Sequence, residues 1–548
     1  MNVAHHHARV AAANARAANN GANDGTSNGV MVVNSIDRAS QWNIIDMGGM
    51  QIKNLSRNLF HYHFLTTLYL NHNNLTNLSS DVCKLVNLRI LDLSGNQLTA
   101  IPPELGLLVQ LRDLRLFDNV LSTVPFELGF LFQLEILGLE GNPLQEPLLG
   151  MVQKENTATI LAYMRDNCPM GPQPPEREWI PLEDEATASS SSSDTFTVLS
   201  YNILCEKYSP QQSYAYTPSW ALEWSYRREL LIQEILNYNP DIVCLQEVEL
   251  GQYEDFFREQ LSQHGEYDGV FHVKSRARTM AVSDQRGVDG CATFYKNSKF
   301  TLIDKSLIEY QHYAMKRPGL RGSEDVINRV MIKDNVAVAI LLETKETHQR
   351  LVVANTHLHW DPQHRDVKLV QTAILMEELQ RIIGTYSQSG KQANGAGGKA
   401  GQQSPLPLIL CGDFNSMPDS GVYEYLSSGQ LSHDHEDFGT YTYLPYTADG
   451  LNHKLLLKSA YAPIENELEF TNYTPGFKGV IDYIWYSSNT LTVTGLLGGV
   501  DREYVTKQAV GFPNSYHPSD HIPLVVSVRI KSASGGGNPN AAKTIKFK

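Results

Sequence analysis

The apolar positions of this chain change period along its length. Between residues 65 and 144 leucines recur in one frame. LTTLYLNHNNL begins at Leu65, LRILDLSGNQL at Leu88, LRDLRLFDNVL at Leu111 and LEILGLEGNPL at Leu134, so every copy opens at the same distance from the one before. A looser copy, WNIIDMGGMQI, opens at Trp42 in the same frame, with Met50 where Asn73, Asn96, Asn119 and Asn142 stand in the others. This is the leucine-rich-repeat pattern. Each repeat offers a short strand whose leucines only neighbouring repeats can cover, and the asparagine column answers backbone groups at the turns. The pattern predicts an amino-terminal solenoid over 37–168, sealed by a helix over 155–167. Such solenoids present a binding face rather than chemistry.

Beyond 195 the period shortens. Apolar, β-branched runs at 196–204, 241–248, 291–296, 336–344, 351–360, 408–413, 479–486 and 519–530 read as strands. Leu231, Ile235 and Tyr238 fall at helical spacing between them. So do Leu369, Ala373, Met376, Leu379 and Ile383, with Asp366 as a capping residue. Packed β-sheets flanked by helices, an α/β unit over 195–531, is the expected architecture. The Pro- and Ser-rich passage 169–194 reads as a linker. Segments 1–36 and 532–548 are low in complexity and read as disordered, and the Gly/Ser/Gln-rich stretch 386–404 as a surface loop.

Composition narrows the classes. A chain of 548 residues with 42% hydrophobic content supports two folded units. The formal net charge of −14 argues against non-specific coating of nucleic acid. It leaves room for an enzyme that grips a few nucleotides and neutralises their phosphates with metal. Six scattered cysteines form no CxxC pair and read as reduced thiols. The amino terminus lacks the apolar core of a signal peptide, and no run is long enough to span a membrane. The expectation is a soluble protein of the cytoplasm, and of the nucleus as well, with no membrane partner.

The chemistry centres on PLILCGDFNS, residues 407–416, where a buried strand delivers Asp413 and Asn415 to its carboxyl-terminal edge. Two positions apart, they are expected on one face. Asn202, Glu247, His357, Asp482, Asp520 and His521 also sit at ends of apolar runs. Singly, each reads as a solvated strand end or a locally bonded histidine. Together they form an oxygen-rich set with two histidines and no cysteine, which selects Mg²⁺ or Mn²⁺ over zinc. HDHED at 433–437 lies in a polar connector and reads as a surface loop. The His5–His7 run reads as having no functional site.

The pieces YNIL, LQEV, ANTHLHWDP, GDFNS, GVIDYIWY and SDH resemble the endonuclease/exonuclease/phosphatase superfamily, with its deoxyribonuclease-I-like β-sandwich. With the repeats in front, and with VDGCATFYK, NRVMIKDN and FTNYTPGFKGVIDYIWY, the chain resembles the carbon-catabolite-repressor-type poly(A) deadenylases of the Ccr–Not complex. That resemblance implies a Mg²⁺-dependent 3′→5′ exoribonuclease that shortens messenger-RNA poly(A) tails and releases 5′-AMP. By the same resemblance, Glu247 and Asn202 hold the metal and Asp520 sits near a second metal position. Asp413, helped by Asn415, activates water. Asp482 orients His521 toward the charged phosphate, and His357 reaches a phosphate oxygen. Asn472 and Phe477 meet the terminal adenine, and Pro362 packs on a base. The repeats are expected to dock a second deadenylase subunit of the DEDD class, which bridges to the Not scaffold. The rivals are another phosphoesterase of the superfamily, acting on a nucleotide cofactor, DNA or a phosphoinositide, and a non-catalytic repeat-bearing adaptor.

Overall fold

The computed structural model describes residues 43–183, 195–393, 405–464 and 468–531. The chain divides into two compact units, Met1–Gly171 and Pro172–Lys548. In the first, strands β1 (Ile44–Asp46), β2 (Thr67–Tyr69), β3 (Ile90–Asp92), β4 (Asp113–Arg115) and β5 (Ile136–Gly138) stack in parallel in sequence order. Leu68, Leu91 and Leu114 occupy equivalent positions in the stack and are fully buried. Each such leucine contributes about 1.5–3 kcal/mol of transfer free energy. The asparagine column does what its spacing predicts. Asn96 accepts from Leu75 N at 3.0 Å and donates to the carbonyls of Leu70 and Leu93 at 3.0 and 2.9 Å. Asn73, Asn119 and Asn142 repeat this arrangement. The sealing helix expected at 155–167 is present as Thr157–Asp166, where Asn156 caps it by accepting from Thr159 N, and a second helix, Leu148–Lys154, precedes it.

The second unit is a two-sheet sandwich. Its first sheet contains β6 (Trp179–Pro181), β7 (Thr195–Asn202), β8 (Ile242–Glu249), β9 (Tyr267–Val273) and β10 (Asp289–Lys296). The second contains β11 (Phe300–Glu309), β12 (Val336–Thr344), β13 (Arg350–His357) and β14 (Leu408–Asp413). Further along come the hairpin β15 (Gln430–Leu431) with β16 (Leu451–Asn452), then β17 (Leu457–Ser459), and the hairpin β18 (Asn472–Thr474) with β19 (Phe477–Gly479). Strands β20 (Asp482–Ser487), β21 (Leu491–Leu497) and β22 (Leu524–Ile530) complete the unit. The sheet orders are β6-β21-β22-β7-β8-β10-β9 and β11-β12-β13-β14-β20-β17.

Alternation along the strands sorts side chains between layers. Phe196, Val198, Ile242 and Cys244 face the shared core, while Leu199, Tyr201, Val243 and Leu245 pack with Leu231 and Ile235 of the helix Trp224–Tyr238. Leu369, Ala373, Met376 and Leu379 of the helix Arg365–Ala393 join the shared core. Buried polar bonds also cross the sandwich. Buried Asn355 on β13 donates to the carbonyls of Leu245 and Ala292 and accepts from Gln246. These bonds to one amide fix how the two sheets align, since a slip would strand buried polar groups.

Several expectations need correction. The stretch expected as linker over 169–194 is not linker throughout, and the second unit takes in residues before 195. Trp179–Pro181 pairs with β21, and Arg177 donates to the carbonyls of Gly498 and Pro523. Asp366 is not a cap. It lies inside its helix, where its carboxylate pairs with Arg329 and Tyr443. That helix runs through Ala393, so 386–393 is not loop, and 394–404 lies outside the described residues. Segments 1–36 and 532–548, and 184–194 of the linker, also lie outside them. All six cysteines are free. Among the described residues no helix is long and apolar enough to cross a membrane.

Candidate active site

Each sheet ends its central strands at the same rim. β7 delivers Asn202 there, β13 His357 and β14 Asp413, and Asp482 opens β20 directly opposite Asp413 in antiparallel register. The strand β14 approaches β13 closely at Gly412, where a Cβ would fall 2.1 Å from the Thr356 carbonyl oxygen. Only glycine permits this neighbour of Asp413. Glu247 arrives by a different device. Between Gly290 and Ala292 the pairing with β8 shifts, leaving an extra residue on β8. Glu247 takes φ +57 at this bulge, and the half-buried side chain turns to the rim instead of following the strand's alternation.

Around Asp413 the polar groups are dense. Its Oδ2 lies 3.0 Å from Asn202 Nδ2, 3.5 Å from His357 Nε2 and 3.7 Å from His521 Nε2. Its Oδ1 accepts from Asn415 N at 2.8 Å. Burial, then the Asp482 carboxylate, push its pKa up to about 7. His521 Nδ1 sits 2.7 Å from Asp482 Oδ2. Burial alone would depress that imidazole, but the carboxylates of Asp482, Asp520 and Asp413 overcome it and hold the pKa well above the usual histidine value. His357 goes the other way. Burial and then the nearby Lys274 ammonium lower it to about 3, so it is neutral, and its Nδ1 is buried without a partner.

A cavity of about 890 Å³ opens over this rim. Of the residues expected from sequence, Glu247, His357, Pro362, Asp413, Asn415, Asn472, Phe477, Asp520 and His521 line it. Asn202 and Asp482 stand behind the lining. Asn202 donates to both Glu247 and Asp413, and its oxygen accepts from Leu204 N, so it braces the carboxylates rather than presenting an oxygen to the cavity. Asn415 also differs from expectation. β14 stops at Asp413 and Asn415 takes φ +47, so strand alternation does not place the two side chains on one face. Its backbone N–H serves Asp413, while its amide donates to the Leu358 carbonyl. HDHED is exposed at His433, Asp434 and Glu436, as expected of a surface loop, but its last residue is anchored. Asp437 is buried, accepts from Gly421 N and pairs with Arg365.

Four residues of the rim were not singled out from the sequence. Lys274, which follows β9, is buried and pairs with Asp289 at 2.6 Å. Tyr214 donates to Asp520 Oδ2 at 2.9 Å. Lys368 donates to the Asn415 carbonyl at 2.6 Å. Trp360 is 69% exposed at the cavity wall, an uncovered indole beside a polar pocket. The donor set also fits a hard divalent ion. Burial raises the Glu247 pKa, with the Asp289 and Asp520 carboxylates adding to it, and Asp520 Oδ1 is buried without a hydrogen-bond partner. Carboxylates crowded at this cost accommodate a cation bound through oxygen.

Two family models match the chain: the Endonuclease/Exonuclease/phosphatase family over residues 199–521 and Leucine Rich repeats over 64–106. The chain is 51% identical to the CCR4-Not complex 3′-5′-exoribonuclease subunit Ccr4 of Mycosarcoma maydis, covering 95% of this chain and 79% of that protein. It is 50% identical to the subunit of the same name from Schizosaccharomyces pombe, over 89% of this chain and 75% of that one. Among solved structures it resembles ANGEL2, described as a 2′,3′-cyclic phosphatase, in complex with adenosine-2′,3′-vanadate. The identity is 25% and the TM-score 0.50, over 65% of this chain and 99% of that one. With the repeat column, the sandwich and the acidic rim all present, the chain belongs to the endonuclease/exonuclease/phosphatase family, in its leucine-rich-repeat-bearing Ccr4 branch.

Proposed function

We propose that the second unit hydrolyses RNA from its 3′ end, preferring poly(A) and releasing 5′-AMP, with Mg²⁺ or Mn²⁺ as cofactor. The observation that carries this reading is the convergence of Glu247, Asp413, Asp520 and His521 on one cavity that Trp360 and Phe477 also line. Glu247 and Asp520 would hold the divalent ion, and when bound it supplies Lewis-acid stabilisation of charge on the phosphate oxygens. Asp413, poised near neutrality, takes a proton from the attacking water. His521, kept protonated by Asp482, donates to a non-bridging oxygen as negative charge grows there. Lys274 adds a fixed positive charge to the same rim. The exposed faces of Trp360 and Phe477 are placed to stack on bases, each worth about 1–3 kcal/mol.

The names of the Ccr4 relatives support a place in a CCR4-Not assembly. There the repeats would dock a second deadenylase subunit of the DEDD class, itself bound to the Not scaffold. Six unpaired cysteines fit a reducing compartment, cytoplasm or nucleus. The decisive experiment compares release rates from A-tailed RNA, random-sequence RNA, DNA and adenosine 2′,3′-cyclic phosphate. The ANGEL2 likeness is the reason for the last substrate. Fastest release from the A-tailed RNA is expected. Equal rates on the three polymers would remove the poly(A) assignment, and turnover of the cyclic phosphate alone would replace the exonuclease reading.

A further inference from the structure

A second group of metal-ligating side chains lies on the loop that follows β13. One atom each from His359, Asp361 and His364 falls within 4.8 Å of the other two. The group is separate from Asp413, Asp482 and His521, and among the described residues these are the two such groups. Asp361 and His364 are partly exposed, with Asp361 Oδ2 2.8 Å from His364 Nδ1. Taken alone, this pair is an ordinary turn closure, since Asp361 Oδ1 also accepts from Gln363 N. His359 does not fit that account. It is only 7% exposed, its ring packs edge-on against His364 with centroids 5.1 Å apart, and its Nε2 is buried without a hydrogen-bond partner. A shielded imidazole nitrogen with nothing to bond is costly unless something else takes its lone pair or proton.

We propose that His359, Asp361 and His364 form a second metal site, for zinc or a similar borderline ion, that braces the loop carrying Trp360 and Pro362. Two imidazoles and one carboxylate are the donors zinc prefers, whereas the oxygen-rich rim suits magnesium. Zinc–ligand bonds of about 2.0–2.1 Å put tetrahedral ligand atoms about 3.4 Å apart, so a modest closure of the three side chains completes the site. The fourth position stays open to water, because Asp361 and His364 lie at the surface. Trp360 and Pro362 alternate with these ligands along the loop and line the catalytic cavity. A bound ion therefore stiffens the wall on which RNA lies without entering the reaction.

The test uses the full chain with His5, His6 and His7 changed to alanine, since that run would itself take up zinc. Metal-free protein in excess Mg²⁺ is titrated with Zn²⁺ against a chromophoric chelator. One equivalent of micromolar or tighter affinity is expected. His364→Gln and Asp361→Asn should each weaken it by about tenfold or more, while Glu247→Gln leaves it in place. Both loop variants alter partly exposed side chains, and circular dichroism checks that they fold. Co²⁺ loading gives a second readout, a tetrahedral visible absorption band that His364→Gln removes. No zinc equivalent, or one lost with Glu247→Gln and indifferent to His364→Gln, would overturn the site.

Discussion

Asp482 Oδ2 lies 2.7 Å from His521 Nδ1, and Asp482 is paired in register with Asp413 across β14 and β20. One aspartate thus works on two neighbours. It stabilises the imidazolium of His521 through a short charge-assisted contact, and its negative charge helps keep Asp413 from ionising early. Asp482→Asn keeps the shape and removes the charge. The His521 pKa should fall, the Asp413 pKa should fall with it, and kcat should drop by about 10²–10⁴-fold. Imidazole NMR titration reads the first effect. An unchanged His521 titration in Asp482→Asn would separate the pair.

The pH dependence of the metal-free protein follows from the same geometry. Asp413 titrates near 7 in the fold against 3.8 when free, so folding favours its protonated form. Its contribution is full below about 4 and is lost as pH rises through about 7. The raised His521 pKa acts in the same direction at higher pH, its contribution fading as pH climbs beyond the free histidine value of 6.5. Urea unfolding without divalent ions should therefore show the rim costing stability between pH 5 and 8, on the order of 1–3 kcal/mol. Asp413→Asn should recover most of that loss while abolishing turnover. Added Mg²⁺ should restore stability to the parent and do less for Asp413→Asn or Glu247→Gln. If Asp413→Asn unfolds with the same pH dependence as the parent, the carboxyl is not the strained group.

The sequence disclosed the regular part of this molecule and concealed the part made by interruptions. A constant period exposed the solenoid because every repeat must bury the same leucines, and Asn96 bonds as its column position demands. The rim was legible because Asn202, His357 and Asp413 stand where apolar runs stop. Glu247 was found for its type and place, yet its orientation depends on a bulge that exists only against β10, a strand that arrives after β9 and its flanking helices. Lys274 follows the mixed-polarity strand β9 and Tyr214 follows no apolar run, and their roles come from Asp289 and Asp520, which topology alone brings near. Trp179–Pro181 was hidden among prolines. So short an edge strand has no period of its own, and its partner β21 comes from the opposite end of the unit's sequence.

Lys274 and Asp289 offer a test that separates charge from packing. Both are buried, and Asp289 also meets Arg276 at 2.7 Å. Burial and then the Lys274 ammonium are the largest influences on Asp289, and the cations win, holding its pKa at about 2. Lys274→Met leaves a buried carboxylate short of a partner and should cost about 3–5 kcal/mol in unfolding experiments. The double variant Lys274→Met/Asp289→Asn should regain much of that stability. Activity should stay low in both, because the positive charge that Lys274 brings to the cavity is gone. Activity that returned with stability would make Lys274 purely structural.

The repeats make the last prediction independent of the enzyme. Asn96 is buried and bonded to backbone groups belonging to two adjacent repeats. Asn96→Ala strands the buried Leu75 amide, at about 1–3 kcal/mol, while the Leu70 and Leu93 carbonyls keep Asn73 and Asn119 as donors. Asn96→Asp keeps the acceptor for Leu75 but turns a carboxylate oxygen toward the two carbonyls, so it should be no better and should worsen as pH rises above the carboxylate range. Asn142 closes the last repeat and is less buried, so water can reach its partners and Asn142→Ala should cost less. Thermal unfolding of the full chain, with exchange of the Leu75 amide as a local probe, distinguishes these cases. Equal losses for Asn96→Ala and Asn142→Ala would mean that burial does not set the strength of the column.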